Sequence, residues 1–260
     1  MTDEQADAAP DLPLDEEGRI RLQKLLALAG VASRRRSEEL MLGEQVEVNG
    51  EVVTRLGTKV DPVRDVIRVE GRRLPPISAF SAKVYLALNK PRGVVSTMSD
   101  PEGRRTLQDL VADRPERLFH VGRLDTDTSG LILLTNDGDF AHRLAHPSYE
   151  VDKTYVAEVA GQVYPRTLKQ LLEGVTLEDG PVTVSRAKTV EATKEKSIVE
   201  LVIHEGRNRI VRRLMDHVGH PVRRLTRTQI GPVRLAGIAS GGYRELTNDE
   251  LGELLDNTQL

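Results

Sequence analysis

Asp125 is the residue of this sequence whose surroundings are best suited to chemistry. It ends the run GRLD, in which Arg123 supplies a neighbouring cation, and the apolar segment LILL follows at 131–134. A carboxylate held in a tight turn between a cation and a rigid strand has a fixed position, as a nucleophile or a general base requires. The pattern predicts that Asp125 acts on a substrate.

The same run partly fits two kinds of metal-dependent site. DTDTSG partly matches a calcium loop, but Asn136 stands at the twelfth position, where a bidentate carboxylate is needed, and this excludes the loop. A magnesium-dependent phosphotransferase with Asp125 as nucleophile and Asp127 beside it is the weaker alternative. That chemistry requires an apolar strand directly before the first aspartate and a downstream pair of acidic residues to bind the metal. The sequence has neither.

His142 and His146 stand four residues apart on a predicted helix, a spacing that can bind zinc. A metalloprotease-type site would have glutamate at the position of Arg143, and no third ligand is evident. We therefore predict no metal site. With no cysteine in the chain, disulfides and thiolate zinc sites are excluded as well.

The net charge of −3 conceals an uneven distribution. Between Arg207 and Arg234 there are eight arginines and a single acid, Asp216. A solvated helix would mix Glu and Lys at i,i+4 spacing, whereas a basic face is what phosphate binding requires. The distribution predicts contact with nucleic acid.

The chain divides into five predicted segments. They are a disordered acidic tail (1–18), a small α/β RNA-binding module (19–74), a linker (75–82), an α+β catalytic domain (83–240) and a C-terminal helix (241–260). Strands broken by single helices, with turns that fit hairpins, predict a mixed, largely antiparallel sheet with flanking helices in the catalytic domain.

Within the module, an amphipathic helix stops at Gly30, and Ser33 is the predicted N-cap of a second helix. Asn49 and Gly50 predict a type I′ turn between two strands. The run RLQKLLALAGVASRRRSEELMLGEQVEVNGEVV resembles the αL RNA-binding motif, or S-four domain. Arg34, Arg35 and Arg36 oppose the helix dipole in its first turn, which favours RNA binding over a purely structural role.

Four runs in order, LNKPRGVVST, GRLDTDTSGLILLTNDGDFAHRLAHP, KTYVAEV and EGRNRIVRRLMDHVGHPVRRLTRTQIGPVRL, resemble the RsuA/RluB-like family of rRNA pseudouridine synthases. The resemblance runs from Arg19 to about Leu235. It implies that an aspartate breaks the C1′–N1 bond of a flipped uridine, after which the uracil turns and rejoins through C5. On this basis Asp125 is the nucleophile or base, Tyr155 stacks on the uracil, and Arg212 pairs with Asp125.

No cofactor is implied. The residues expected to contact RNA are Arg34, Arg35, Arg36, Arg123, Arg207, Asn208, Arg209, Arg213 and Arg224. One departure is Ile210, since many relatives have Gln at that position.

The substrate expected from the resemblance is 23S rRNA, because the NR of EGRNRIVRR and the run GHPVRRLTRTQIG are most like the large-subunit, RluB-type enzymes. The alternatives are a 16S rRNA enzyme and a non-catalytic, ribosome-associated RNA-binding protein. We expect a cytoplasmic monomer with no membrane segment, acting on rRNA or on a ribosomal assembly intermediate.

Overall fold

The computed structural model describes residues 12–74 and 83–259. The chain forms two compact units, Met1–Lys83 and Val84–Leu260. The predicted linker, 75–82, and residues 1–11 of the predicted tail lie outside the described residues. Within the described ranges, no helix combines the length and the apolar character that crossing a bilayer demands.

Within the first unit, the described residues 12–74 form two helices and six short strands. These are β1 (Ile20–Arg21), α1 (Leu22–Leu28), α2 (Arg34–Leu42), β2 (Val46–Val48), β3 (Glu51–Val52), β4 (Lys59–Val60), β5 (Ile67–Val69) and β6 (Arg72–Arg73). Strands β3-β2-β5-β6 form one sheet, and β1 pairs with β4. The two helices share a core in which Leu22, Leu26 and Met41 are fully buried.

Local signals in this unit are confirmed. The Ser33 side chain accepts a hydrogen bond from Arg36 N at 3.1 Å, as an N-cap should. Asn49 and Gly50 have φ values of 55° and 86°, which fit a type I′ turn. One boundary differs from the prediction, because Ile20 and Arg21 pair with β4 as a strand before the first helix begins.

The second unit contains four helices and eleven strands among its described residues. They are β7 (Tyr85–Lys90), β8 (Phe119–Val121), β9 (Ser129–Thr135), α3 (Gly138–Ala145), β10 (Lys153–Ala160), α4 (Pro165–Glu173), β11 (Val175–Leu177), β12 (Gly180–Val182), β13 (Arg186–Ala192), β14 (Lys196–Ile203), α5 (Ile210–His217), β15 (Val222–Ile230), β16 (Val233–Arg234), β17 (Tyr243–Glu245) and α6 (Asn248–Asn257). Short 3₁₀ helices lie at Gln108–Leu110 and Pro147–Tyr149.

The large sheet of this unit has nine strands in the order β13-β14-β10-β15-β9-β7-β17, with β16 beside β15 and β8 beside β9. All of its pairs are antiparallel except β15 with β9. The predicted α+β class and the mixed, largely antiparallel sheet are therefore confirmed.

Strand β9 is apolar along its length because both of its faces are buried. Ile132 and Leu134 belong to the core cluster that includes residues of α5, whereas Leu131 and Leu133 belong to the cluster that includes residues of α3 and α6. A central strand covered on both sides reads as a continuous hydrophobic run rather than an alternation. The rigid element that follows Asp125 is thus a strand at the centre of the domain.

Two segments differ from the sequence-based expectation. The arginine-rich run after Gly219 forms β15, a nine-residue strand inside the large sheet, rather than a continuation of one basic face. The last twenty residues were predicted as a helix, but β17 pairs with β7 before α6 begins at Asn248. Both strands owe their place to partners far away in the sequence, which local patterns do not reveal.

Candidate active site

Asp125 lies in the loop that joins β8 to β9. Its carbonyl oxygen accepts a hydrogen bond from Thr128 N at 3.0 Å, which closes a tight turn. Gly93 N donates to the carbonyl of the next residue, Thr126, at 2.7 Å. The turn is therefore held by its own backbone and by the segment that follows β7.

A buried serine fixes the other side of the turn. Ser96 Oγ donates to the Leu124 carbonyl at 2.6 Å and lies 3.1 Å from Leu124 N, from which it accepts. The Leu124 side chain is itself buried in the core. Since both polar groups of Leu124 and its side chain are fixed, the backbone immediately before Asp125 is tightly positioned, as a reacting side chain requires.

The carboxylates of Asp125 and Asp127 share one arginine. Arg209 Nη1 is 3.6 Å from Asp125 Oδ2 and 3.2 Å from Asp127 Oδ1. Arg212 Nη2 is 3.1 Å from Asp127 Oδ2. Burial opposes the charged form of Asp127, but the hydrogen bond from Arg209 and the charges of both arginines outweigh it and hold the pKa of Asp127 below its usual value.

The expected partner of Asp125, Arg212, forms its ion pair with Asp127 instead. Arg212 is on the buried side of α5 and only 7% exposed. Its guanidinium donates to the carbonyls of Asp127 (3.1 Å) and Val222 (3.3 Å) and to Thr128 Oγ1 (3.4 Å). It thus braces the loop, while Arg209, which precedes the helix with a left-handed φ of 48°, reaches Asp125.

These contacts predict that the two arginines contribute unequally to stability. Replacing Arg212 with Met should lower the free energy of unfolding by about 1–3 kcal/mol, because buried acceptors would lose their donor. Replacing Arg209 should change it by less than about 0.5 kcal/mol, because its side chain is 44% exposed and its ion pairs are screened by water. Urea unfolding followed by circular dichroism measures both, and a larger loss for Arg209→Met would contradict the assignment.

Asp125 borders a cavity of about 420 Å³. That volume is within the range of small-molecule sites. Its polar lining includes Asp125, Arg123, Tyr155 and Lys153, and its apolar lining includes Val121, Leu133, Leu225 and Ile230. A carboxylate, an aromatic ring and apolar walls make a site that can take up a flat, partly polar ring next to a nucleophile.

Tyr155 is on β10, buried to 93% of its surface and in register with Arg227 of β15. Arg227 Nη1 lies 3.5 Å from the Tyr155 hydroxyl. The structure therefore brings Asp125 and Tyr155 to one cavity, together with Arg209.

Sequence analysis did not identify three cations near this cavity, of which Lys90 and Arg227 are buried and Lys153 is half-buried. Lys90 is fully buried; its Nζ donates to the carbonyls of Pro91 (3.1 Å) and Val94 (2.8 Å), and burial lowers its pKa to about 8. Lys153 and Arg227 line the cavity. The signal that could have found Lys153 is its spacing, because residues two apart on a strand face the same side, and Tyr155 follows at that distance.

Four of the residues expected to contact RNA lie at the cavity of the second unit. Arg123, Arg207, Asn208 and Arg209 border the cavity. Arg213 is on α5 and shares Asp179 with Arg207, at 2.8 and 3.0 Å.

The remaining expected contacts are elsewhere. Arg224 is exposed on β15, and Arg34, Arg35 and Arg36 are exposed in the first turn of α2, in the other unit. The number of exposed, unpaired arginines is therefore smaller than composition indicates, since Arg212 and Arg227 are buried and Arg207 and Arg213 form ion pairs with Asp179.

The described residues contain no cluster of three or more His, Asp or Glu side chains that could hold a metal ion. His142 and His146 are neighbours on and after α3, with ring centroids 5.8 Å apart, and His146 bonds Ser148. Both histidines are exposed, and these contacts within and just after α3 are local.

Comparison with known proteins assigns both units to families. Residues 84–217 match the RNA pseudouridylate synthase family, and residues 20–67 match the S4 domain. An uncharacterized RNA pseudouridine synthase of Mycobacterium tuberculosis is 51% identical over 95% of this chain and 97% of that protein. The ribosomal large subunit pseudouridine synthase B of Bacillus subtilis is 48% identical over 90% of this chain and 95% of that protein.

Comparison with a solved structure supports the same family assignment. The crystal structure of a pseudouridylate synthase, 32% identical, matches with a TM-score of 0.61 over 90% of this chain and 99% of that chain. The matched family region contains the Asp125 turn, Tyr155 and both arginines of the carboxylate cluster. The chain therefore belongs to the RNA pseudouridylate synthase family and carries an N-terminal S4 RNA-binding domain.

Proposed function

We propose that this enzyme isomerises a specific uridine of 23S rRNA to pseudouridine, with Asp125 as the catalytic carboxylate. The observation that carries the proposal is the placement of Asp125 on the wall of a cavity that also contains Tyr155. The large-subunit specificity is supported by the relatives from Bacillus subtilis and Pseudomonas aeruginosa, both named ribosomal large subunit pseudouridine synthase B.

The target uridine must leave the RNA stack to enter the cavity. Arg123, exposed beside Asp125, is placed to contact the phosphate backbone or to take the space of the extruded base. Tyr155 offers a ring against which the uracil can stack, and the apolar walls exclude water from the reacting bond. The Asp125 carboxylate, 3.6 Å from Arg209, then attacks C1′ of the ribose as the C1′–N1 bond breaks.

We further propose that the protein acts as a cytoplasmic monomer on rRNA or on a ribosomal assembly intermediate. The S4 domain supports a role in holding the RNA, because Arg34, Arg35 and Arg36 are exposed at the start of α2. Such contacts weaken as salt rises, because neutralised phosphates release counterions.

The test is pseudouridine mapping by carbodiimide-stop primer extension. Unmodified 23S and 16S rRNA, and large-subunit assembly intermediates, are each incubated with the wild-type protein. A new stop at one uridine of 23S rRNA, free or in the intermediate, is the expected result. A stop in 16S rRNA alone would overturn the subunit assignment, and salt-sensitive binding without any stop would support the non-catalytic alternative.

A further inference from the structure

Two cations, Lys153 and Arg227, border the cavity on the side of Tyr155. Lys153 precedes Tyr155 by two residues on β10, and Arg227 stands opposite Tyr155 on β15. Residues two apart on a strand, and residues directly opposed on antiparallel strands, project from the same face of a sheet. Lys153 and Arg227 therefore flank the tyrosine on one face, and we call this pair the cationic floor.

Arg227 is fixed but not neutralised. It is 3% exposed; Nε donates to the Leu131 carbonyl at 2.7 Å, and Nη1 is 3.5 Å from the Tyr155 hydroxyl. Nη2 is buried and has no hydrogen-bond partner among the described residues. An unsatisfied buried donor is unfavourable, so a guanidinium kept in this state calls for a function.

Lys153 is half-buried and is likewise held by backbone carbonyls. Its Nζ donates to the carbonyls of Val151 (2.9 Å) and His204 (3.1 Å), which leaves one of its three donors unused by these bonds. Burial, and then the charge of Arg227, lower the pKa of Lys153 to about 8, against an opposing effect of Asp152. Lys153 is therefore mostly charged at neutral pH. None of the ion pairs in the described part of the chain includes Lys153 or Arg227.

We propose that the cationic floor stabilises the negative charge that the uracil carries while it is detached from the ribose. This inference rests on the proposed function and deepens it, since it assigns to Lys153 and Arg227 a role in the same reaction. Lys153 faces the detached base directly, whereas Arg227 acts through its charge and by positioning the Tyr155 hydroxyl.

The reaction generates such an anion. When the C1′–N1 bond breaks, its electron pair stays on N1, and the uracil bears a negative charge shared by N1, O2 and O4. The Asp125 carboxylate compensates for the electron-deficient C1′. When C5 then bonds to C1′, the carboxylate is released, C5 loses its proton and N1 gains one, so that the sum is an isomerisation.

A fixed cation in a site that excludes water acts most strongly where charge develops, because no solvent has to reorganise. A buried guanidinium and a half-buried ammonium without a carboxylate partner are unfavourable for folding. Their presence beside the cavity is explained if they meet a transient anion.

The first test compares two RNA substrates with different leaving groups. One carries uridine at the target position and the other 5-fluorouridine, whose fluorine makes the detached base a more stable anion. In Lys153→Met or Arg227→Met, the single-turnover rate at which the N1-linked nucleoside disappears should fall about 10²-fold with the uridine substrate. With the 5-fluorouridine substrate, the same variants should lose at least about 10-fold less of their rate, because the detached 5-fluorouracil anion needs less stabilisation.

Charge-retaining variants and a distant control complete this test. Lys153→Arg and Arg227→Lys should keep the wild-type ratio of the two rates, and Lys188→Met, on an exposed position of β13, should leave both rates unchanged. Equal slowing of both substrates in Lys153→Met would show a structural role and overturn the proposal, as would the absence of any slowing.

The second test does not depend on turnover. Barbiturate is a uracil-shaped ring that is anionic at neutral pH, and its binding to the full-length protein can be compared with that of neutral uracil by NMR titration. Wild type should bind barbiturate more tightly, and Lys153→Met should lose the preference. Equal binding of the two rings, or binding of neither, would overturn the proposal.

Failure of the wild type to convert any rRNA would instead refute the proposed function, and the barbiturate comparison would still decide the role of the cationic floor.

Discussion

Replacing Asp125 with Asn should abolish pseudouridine formation, with a loss of about 10⁴-fold or more in the single-turnover rate. The substitution removes the negative charge and the nucleophilic oxygen but keeps the size of the side chain. The turn should survive, because it is closed by the backbone bonds of Asp125 and Thr126 and not by the carboxylate. Conversion of the mapped uridine in excess enzyme, with circular dichroism as a check of folding, measures the effect.

Asp127→Asn is the matched control for this substitution. Its carboxylate holds Arg209 and Arg212 at 3.1–3.2 Å. Its loss should therefore weaken the positioning of both arginines and reduce the rate far less than Asp125→Asn, at some cost in stability. A larger rate loss in Asp127→Asn than in Asp125→Asn would move the catalytic role to Asp127. Retained turnover in Asp125→Asn would exclude Asp125 as the nucleophile.

Replacing Gly130 with Ala should lower the free energy of unfolding by about 3 kcal/mol or more. An added Cβ would lie 2.2 Å from the carbonyl oxygen of Arg227 and 2.7 Å from its nitrogen, and Gly130 has a φ of +109°. Both contacts are with the backbone of β15, which cannot move without disturbing the pairing of Thr226 with Ser129 and of Arg227 with Gly130. Urea unfolding is the measurement.

The effect should reach the active site, because β9 and β15 are joined by these two backbone pairs and by the bond from Arg227 Nε to the Leu131 carbonyl. A shift of β15 would displace Arg227 from Tyr155 and change the floor of the cavity. Hydrogen exchange should therefore increase in β9 and β15 together. Unchanged stability would contradict the close approach of the two strands.

Gly252 provides the control for an added methyl group. It is inside α6, and a Cβ built there meets nothing within 4 Å. Gly252→Ala should raise the free energy of unfolding by about 0.5–1 kcal/mol, because alanine loses less backbone entropy in a helix. The opposite signs of the two glycine substitutions separate a steric requirement from a general effect of alanine.

Several elements could be predicted from the sequence because their causes are local. The Ser33 cap and the Asn49–Gly50 turn depend on a few consecutive residues, and the structure has both. Strand β9 was predicted because a strand buried on both faces is a continuous apolar run. Strands β15 and β17 were not predicted, because their partners β9, β10 and β7 are distant in the chain.

The roles of the arginines near Asp125 also depend on packing that the local sequence does not show. Arg209 and Arg212 are three residues apart in one run, and nothing in that run says which of them reaches the carboxylate. The docking of α5 decides it, since it turns Arg212 toward the backbone of the loop and leaves Arg209 next to Asp125. The number of arginines in the sequence likewise does not show that some are buried or that Arg207 and Arg213 are paired with Asp179.

By itself, the sequence determined the family, the fold class and the location of the candidate nucleophile, because the motif around Asp125 is contiguous and its apolar strand is a local signal. Only the tertiary structure decided what surrounds that carboxylate. The cationic floor combines Lys153 of β10 with Arg227 of β15, and the two strands meet through a register that sheet pairing sets. Side-chain partners across a sheet follow from the packing of the whole domain, and no local pattern encodes them.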